Sequence, residues 1–300
     1  MRVLVTGVGG QLGWELVRSL HAFADVIPAS RNLLDLARPD TINGVVRELR
    51  PDLIINAAAH TAVDRAETER ELAFRINADA VGELGRVAHA IGVPVIHFST
   101  DYVFNGHAER PWRESDATGP LSVYGASKLA GEQALAASGA THWIFRTSWV
   151  YSARGRNFVK AILARAATQN ELRVVADQRG TPTWARSLAD IVTSLLQPGL
   201  RDAHALARRI DETAGLYHLT SAGETTWHGF AEFIAAALAR RSVRVVPVQP
   251  VGTADFPTAA TRPAYSVLDC GRFRASFDLD LPDWRVGAAL CLDELLASPD

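Results

Sequence analysis

Two hydrophobic periodicities alternate along the first half of the chain. Runs of mainly apolar residues predict strands over residues 2–6, 26–29, 51–56, 93–98 and 142–146. Between these runs, apolar residues recur at helical spacing and predict helices over residues 11–21, 39–49, 69–91 and 124–138. Strands that are apolar on successive residues are buried on both faces, as in a parallel sheet covered by helices. The pattern therefore predicts an α/β fold with a doubly wound parallel sheet.

The second half of the chain is less regular. Apolar spacing predicts helices over residues 158–169, 187–196, 226–240 and 284–296, and short apolar runs predict strands over residues 172–175 and 215–219. Residues 243–263 are rich in Pro and Thr and are predicted to be mainly loop. A second, smaller α/β unit is therefore expected after the first one.

Composition and charge narrow the class of protein. A formal net charge of -2 over 300 residues provides no basic surface for nucleic acid. No apolar run approaches the ~20 residues of a membrane span, and the predicted strand at residues 2–6 leaves no room for a signal peptide. We therefore expect a cytoplasmic protein without nucleic-acid or membrane partners, in which Cys270 and Cys291 are reduced packing residues.

A glycine-rich turn joins the first predicted strand to the first predicted helix. It contains Gly7, Gly10 and Gly13. Glycine is needed where the backbone turns sharply and approaches a pyrophosphate, and the helix N-terminus then offers free N–H groups to the anion. The strand before the turn and the helix after it support a Rossmann-type dinucleotide site over the alternative of a tight turn alone.

The end of the second predicted strand indicates which cofactor is used. In such folds an acidic residue there binds the 2′-OH of NAD, whereas an Arg accommodates the 2′-phosphate of NADP. This chain has Ser30 and Arg31 at that place, and the next acid is Asp35. NADPH is therefore the predicted cofactor. NADH is the alternative if Arg31 is only a solvated surface charge.

Tyr124 and Lys128 are the candidate proton-transfer pair. Residues four apart on a helix project from one face. The reference pKa of a phenol is about 10, and a cation one helical turn away is expected to lower it. Thr100, in the stretch Ser99-Thr100-Asp101, would add a hydrogen-bonding hydroxyl. Together these side chains predict proton exchange with a carbonyl or an alcohol.

These motifs, in this order, resemble the extended short-chain dehydrogenase/reductase superfamily. Longer stretches narrow the resemblance to the dTDP-4-dehydrorhamnose reductases. They are NAAAHTAVD at 56–64, STDYVF at 99–104, GPLSVYG at 119–125, FRTSWVY at 145–151, GTPT at 180–183, RP at 262–263 and LPDW at 281–284. The resemblance covers nearly the whole chain, and several of its stretches are long and specific.

The resemblance implies NADPH-dependent reduction of the 4-keto group of a dTDP-linked 6-deoxyhexose, giving dTDP-L-rhamnose. Its catalytic residues would be Thr100, Tyr124 and Lys128. For the cofactor it adds Gln11, Leu12, Asp35, Leu36, Ala59, His60 and Thr61 to the residues already singled out above, which are Gly7, Gly10, Gly13, Ser30, Arg31, Tyr124 and Lys128. The residues contacting the sugar nucleotide would be Thr100, Asp101, Trp149, Asn157 and Arg262.

The resemblance also implies two interleaved domains. Residues 1–150, completed by segments from about 170–215, would form the NADP-binding Rossmann domain. Residues 151–300 would form the smaller substrate-binding domain.

Simpler interpretations compete for several of these residues. His60 could be a core histidine, and for His97, in the fourth strand, that interpretation is preferred. Trp149 could pack in the core rather than stack on a ligand. Arg262 has the bidentate fork that suits a diphosphate, but a surface salt bridge would also explain it.

One position departs from the pattern of the family, some members of which dimerise through a metal held by carboxylates on two helices. Glu15 is present here, but the second position is Arg186, with Asp190 one turn later. A cation where a metal ligand is expected disfavours that site. We therefore expect no metal and a monomer or a weak homodimer.

Two other functions stay open at this stage. A catalytically silent NADP-binding regulatory subunit would not need Thr100, Tyr124 and Lys128 together. A sugar-nucleotide dehydratase would want an acid and a base beside the Thr, where this chain has Asp101 and Tyr102. An epimerase would want an acidic ribose ligand, which Arg31 contradicts.

Overall fold

The computed structural model describes residues 1–199, 202–241 and 243–297. Its strands are β1 (Arg2–Thr6), β2 (Asp25–Ala29), β3 (Leu53–Asn56), β4 (Val95–Thr100), β5 (His142–Thr147), β6 (Val150–Tyr151), β7 (Leu172–Val175), β8 (Arg179–Gly180), β9 (Thr183–Trp184), β10 (Gly215–His218), β11 (Thr225–Thr226) and β12 (Val248–Val251). Its α-helices are α1 (Gln11–Leu20), α2 (Pro39–Leu49), α3 (Val63–Ala66), α4 (Arg70–Phe74), α5 (Ala80–Ile91), α6 (Val123–Ala136), α7 (Phe158–Thr168), α8 (Ala185–Leu196), α9 (Ala203–Glu212), α10 (Trp227–Arg240), α11 (Gly271–Phe277) and α12 (Trp284–Ala297).

The central sheet is parallel, as predicted. Its six strands lie in the order β10-β5-β4-β3-β1-β2, and every neighbouring pair is parallel. The chain leaves β1 for β2 on one side and then returns to form β3 on the other. A topological switch point therefore lies between β1 and β3, and ligands of such sheets gather at the carboxyl ends of the strands there. The predicted fold class is confirmed.

Each face of the sheet is covered by helices. On one face, α1, α8, α9 and α11 pack against the apolar side chains of β1, β3, β4 and β5. On the other face, α2, α5 and α6 pack against the remaining strand residues. A separate apolar core forms from β7, α7, α10 and α12. Strands β7 and β12 pair in parallel beside that second core.

Several elements differ from those predicted from the sequence, and the short elements α3, β6, β8, β9 and β11 were not predicted. The predicted helix 69–91 is interrupted by a π-helical turn, Arg75–Asp79. Helices α9 and α11 were not predicted, and β12 lies in the segment expected to be mainly loop. Helix α8 begins two residues before the predicted start. Among the described residues, none of the helices combines the length and the apolarity needed to cross a bilayer.

Candidate active site

The glycine turn after β1 is shaped by close backbone contacts. Gly7 has φ +70°, and a Cβ on it would lie 2.6 Å from the backbone nitrogen of Ala58. A Cβ on Gly13 would lie 2.2 Å from the carbonyl oxygen of Gly7. Gly10 is the N-cap of α1 and provides no side chain to bond the first N–H groups of the helix. This turn fits a dinucleotide pyrophosphate. Its glycines have no side chains to keep the anion away from the backbone, and the N–H groups at the N-terminus of α1 are not capped by a side chain.

Gln11 connects this turn to the chain after β5. Its Nε2 donates to the carbonyl oxygen of Val150 at 3.3 Å, and its Oε1 accepts from Asn157 Nδ2 at 2.9 Å. Asn157 is also the N-cap of α7, since its Oδ1 accepts from the amide of Lys160. The next residue, Leu12, is buried in the core against the sheet.

The structure agrees with the predicted end of the second strand, because β2 ends at Ala29. Ser30 and Arg31 follow directly on β2 and are exposed in a turn. Asp35 accepts a hydrogen bond from the amide of Ala37, and Leu36 is buried. Arg31 is therefore the basic side chain at the end of the second strand.

The segment Ala59-His60-Thr61 follows β3 and is fixed by the π-helical turn. Asn77 in that turn accepts from the amide of His60 at 2.8 Å and donates to its carbonyl oxygen at 3.1 Å. His60 Nε2 lies 2.8 Å from Glu69 Oε2. The His60 side chain is thus held within the protein, as its simpler interpretation supposes, while its backbone lies at the carboxyl edge of the sheet.

Thr100, Tyr124 and Lys128 converge where β4 ends. Thr100 is the last residue of β4, and its hydroxyl bonds the side chain of Tyr124 and donates to Asp101 Oδ1 at 3.0 Å. Two caps begin α6 just before Tyr124. Ser122 Oγ accepts from the amide of Gly125, and the Glu67 carboxylate accepts from the amide of Val123. Lys128 is buried and Tyr124 is half-buried, and the Lys128 side chain reaches β4 two residues before Thr100.

Burial controls the protonation of this group. It raises the pKa of Tyr124 to about 12, and the hydrogen bond with Thr100 opposes that shift only in part. The predicted lowering of the pKa of Tyr124 by Lys128 is therefore not observed, because desolvation raises this pKa and Lys128 is not among the groups that oppose the rise. Burial also lowers the pKa of Lys128 itself to about 8, against the charge of Glu132. The Lys128 Nζ donates to the carbonyl oxygen of Phe98 at 2.6 Å.

Asp101 is a buried carboxyl group with few donors around it. Burial raises its pKa to about 7, while hydrogen bonds from Ser266 and Thr100 oppose the shift. The Ser266 hydroxyl also lies 3.4 Å from the carbonyl oxygen of Arg179, and Asp101 Oδ2 lacks a well-formed hydrogen bond among the described residues. Asp101 is thus a polar group at the carboxyl edge of the sheet with one oxygen still able to accept.

Trp149 follows β5 in a strained conformation and stacks on a second indole. Its φ is +45°, a backbone conformation that residues other than Gly rarely adopt. The ring of Trp149 lies 3.5 Å from that of Trp227 with an interplanar angle of 4°. A Cβ on Gly180 would lie 2.5 Å from Trp149, so the GTPT stretch leaves room for this ring. Trp227 was not predicted, because no local pattern shows that it reaches a residue 78 positions away.

Arg262 is engaged by an acid. Its guanidinium makes a bidentate pair with Asp64, with Nη2–Oδ2 at 2.7 Å and Nη1–Oδ1 at 3.1 Å. This pair lowers the pKa of Asp64. Tyr102 also bonds Arg262, and its ring lies edge-on to Tyr124 with centroids 5.7 Å apart. Arg262 is therefore close to the candidate site, although its fork is held by Asp64.

Arg186, which stands where some members of the family have a metal-binding carboxylate, takes part in an ion-pair network with Glu15. Arg186 lies 3.1 Å from both carboxylate oxygens of the buried Glu15 and also pairs with Glu294. Arg18 bridges Glu15 and Asp190 at 2.6 and 2.7 Å. The described residues include no group of three or more His, Cys, Asp or Glu able to hold a metal ion. The residues present do not fit a metal, because a guanidinium already faces Glu15.

Comparison with known proteins gives consistent matches. The family model described as RmlD substrate binding domain matches residues 1–297. A protein named dTDP-4-dehydrorhamnose reductase from Burkholderia thailandensis is 44% identical over 306 residues, which cover 99% of this chain and 100% of that protein. A solved dTDP-4-dehydrorhamnose reductase from Clostridium acetobutylicum superposes with a TM-score of 0.89 at 35% identity, covering 99% and 100% of the two chains. The Bacillus anthracis enzyme of the same name, solved in complex with NADP, gives 0.88 at 35% identity over 98% and 99%.

Proposed function

The chain belongs to the dTDP-4-dehydrorhamnose reductase family, and we propose that it applies the convergent Thr100, Tyr124 and Lys128 to that reaction. It is an NADPH-dependent oxidoreductase that reduces the 4-keto group of dTDP-4-dehydro-L-rhamnose to dTDP-L-rhamnose, a step of nucleotide-sugar biosynthesis. The observation that carries the assignment of residues is that Thr100 bonds Tyr124 at the end of β4, while Lys128, one turn later on α6, bonds the carbonyl oxygen of Phe98 on the same strand. We also propose a cytoplasmic location for this step of nucleotide-sugar biosynthesis.

Tyr124 is the proposed proton donor. Bound NADPH supplies the hydride. Reduction of a ketone leaves negative charge on its oxygen, so a donor must be aimed at that oxygen and a proton delivered to it. A phenol whose pKa is raised to about 12 is fully protonated near neutral pH, as a donor must be. Thr100 would give the same oxygen a second hydrogen bond, and Lys128 would hold the ribose of the cofactor.

The cofactor would lie along the carboxyl edge of β1, β2 and β3. The open N-terminus of α1 would bind the pyrophosphate through the turn from Gly7 to Gly13. Ser30 and Arg31 would meet the 2′-phosphate of NADPH, and Asp35, Leu36 and residues 59–61 would line the adenosine side. We propose residues 1–150, with segments from about 170–215, as the NADP-binding domain, since α8 packs on the same face of the sheet as α1.

The sugar nucleotide would lie between this edge and the second core. Asp101 follows β4 and has a raised pKa, and Trp149 follows β5 and has a positive φ. Asn157 and Arg262 are weaker proposals, since each is engaged within the protein by α7 or by Asp64. We propose residues 151–300 as the interleaved substrate-binding domain. A monomer or weak homodimer fits the ion-paired Glu15, which has no free carboxylate to offer a metal.

NADPH oxidation, followed by absorbance with dTDP-4-dehydrorhamnose and with UDP- and GDP-linked keto sugars, tests this function. The dTDP sugar should be preferred. Tyr124→Phe should lower turnover by a factor of order 10² or more while leaving NADPH binding nearly intact. Tyr217→Phe is the matched control, because Tyr217 is a buried tyrosine that bonds the carbonyl oxygen of Thr213 and packs on the face of the sheet opposite α6. Turnover of Tyr124→Phe within a few-fold of the parent would remove Tyr124 from the mechanism.

A further inference from the structure

Two of the proposed sugar contacts lie at the ends of one segment of the chain, residues 149–157. Trp149 begins the segment shortly after β5, and Asn157 ends it as the N-cap of α7. The half-buried Gln11 is the first residue of α1, and its side chain bonds both ends of this segment. Gln11 therefore links the helix proposed to bind the cofactor to the segment proposed to bind the sugar nucleotide.

The orientations of the two amide side chains follow from the backbone groups that they meet. The backbone N–H of Lys160 can only donate, so the atom of Asn157 that faces it at 3.1 Å is Oδ1. Asn157 Nδ2 then faces Gln11, and the Gln11 atom that meets it at 2.9 Å is the acceptor Oε1. Gln11 Nε2 is left to donate to the carbonyl oxygen of Val150 at 3.3 Å. Each donor in this series of bonds therefore meets an acceptor.

Further contacts hold the same segment against α1. Asn157 Nδ2 also donates to the carbonyl oxygen of Ser152 at 2.7 Å. The Ser152 hydroxyl lies 3.2 Å from Gln11 Oε1, but its one proton has a closer acceptor in the carbonyl oxygen of Arg154 at 2.8 Å. The guanidinium of Arg154 lies 3.6 Å from the centre of the Trp14 ring, one turn after Gln11 on α1. The segment is thus fastened to the helix by side chains from both sides.

The backbone and the side chain of Gln11 serve different parts of the site. Its N–H belongs to the first turn of α1, which no side chain caps and where the proposed function places the pyrophosphate. Its amide bonds Asn157 and Val150, the residue after Trp149. We propose that Gln11 is a positioning residue for the sugar nucleotide, whose side chain fixes Trp149 and Asn157 relative to the cofactor. This inference rests on the proposed function of the two halves of the site.

Gln11→Met tests this role by kinetics and cofactor binding. Methionine has an unbranched side chain of similar length and favours helices, and its Cγ keeps the place that Gly155 leaves open, since a Cβ on Gly155 would lie 3.3 Å from Gln11 Cγ. KM for dTDP-4-dehydrorhamnose should rise about tenfold, with a smaller change in kcat, because two hydrogen bonds that order the segment are lost. The Kd of NADPH should change by less than about twofold, because the N–H of residue 11 remains.

The outcomes separate positioning from direct contact with the cofactor. Gln133→Met, at an exposed glutamine on α6, is the matched control and should leave KM and the Kd of NADPH unchanged. If Gln11→Met raises the Kd of NADPH as much as KM, Gln11 is a cofactor contact and the proposal fails. An unchanged KM would overturn it as well.

Asn157→Ser shows whether the two amides act together. Serine keeps an N-cap for α7 and lacks the Nδ2 that bonds Gln11. It should raise KM for the sugar nucleotide, and the double variant should raise KM by less than the product of the two single effects, since both remove the same bond. Effects that multiply would mean that the two residues act independently, which would overturn the proposal.

Proteolysis tests the attachment of the segment without substrate or turnover. Arg154 and Arg156 are exposed in it, and trypsin cleaves after arginine where the backbone opens locally. Cleavage at these two sites, identified by mass spectrometry, should be about tenfold faster in Gln11→Met and in Asn157→Ser than in the parent, and unchanged in Gln133→Met. Unchanged cleavage in both variants would overturn the proposal. If cleavage accelerates but the parent shows no reductase activity, the attachment to α1 stands and the proposed function fails.

Discussion

Asp101→Asn should make the protein more stable, and the gain should depend on pH. The pKa of Asp101 is raised from 3.8 to about 7 in the folded chain by burial. Between these values the unfolded chain is ionised while the folded one stays protonated, so folding stability is fully present below pH 4 and is lost as pH rises through 7. A shift of about 3 units corresponds to roughly 4 kcal/mol as an upper bound. Asparagine keeps the acceptor for Thr100 and has no charge to bury.

The assay is urea unfolding of the parent and of Asp101→Asn between pH 4 and pH 8. The difference in the free energy of unfolding should be small near pH 4, grow by up to about 1.4 kcal/mol per pH unit and level off above pH 7. All other titrating groups cancel in the difference. Reductase activity should fall at the same time, because the proposed sugar contact loses its carboxyl group.

Asp116→Asn is the matched control. Asp116 is a half-buried carboxylate whose pKa is held at about 2 by Arg110 and by the amide of Arg113. Its stability difference from the parent should be flat between pH 5 and pH 8, because it is ionised in both states throughout that range. An equally flat difference for Asp101→Asn would refute the reasoning, since it would mean that the carboxyl group ionises normally in the folded chain.

Three further predictions concern the cofactor, the assembly and the stacked indoles. Arg31→Ala should lower kcat/KM for NADPH by about tenfold to a hundredfold and barely change it for NADH, since one charge-assisted hydrogen bond is lost; an equal loss with both cofactors would make Arg31 structural. The mass measured by light scattering should be the same with and without EDTA, because Arg186 pairs with Glu15 where a metal would need that carboxylate; a mass that halves with EDTA contradicts this. Trp227→Leu should abolish the circular-dichroism signature of the stacked indoles and raise KM for the sugar nucleotide more than it changes kcat, whereas Trp14→Leu, at an indole outside that stack, should leave the signature in place.

The fold was predictable from the sequence wherever apolar residues form a run or a period long enough to identify a strand or a helix. The strands of the sheet are short apolar runs, and the glycine turn needs no tertiary information because its residues are constrained by the backbone itself. Helices α9 and α11 were missed because each buries only two apolar side chains, one turn apart, which is too few to define a period. They are Leu206 and Ile210 in α9, and Phe273 and Phe277 in α11.

The position of Tyr124 and Lys128 on one helix was predictable from the sequence, and the energetics of these side chains were not. Spacing on one helix places Tyr124 and Lys128 on one face, but the direction of their pKa shifts depends on how much protein surrounds them. The Trp149–Trp227 stack and the Arg262–Asp64 pair join residues 78 and 198 positions apart. No periodicity within either segment carries information about such contacts.

The pKa shifts at the end of β4 share one direction, and this has a consequence for the reaction. Burial moves Tyr124, Asp101 and Lys128 each toward its neutral form. The site therefore carries less charge at rest than the same side chains would in water, and new charge develops on the ketone oxygen as the hydride arrives. Donors fixed in a poorly solvated site interact with that new charge more strongly than the same donors in water. A protonated Tyr124 is then more useful than the phenolate expected from helical spacing, because reduction requires a proton to be given and not taken.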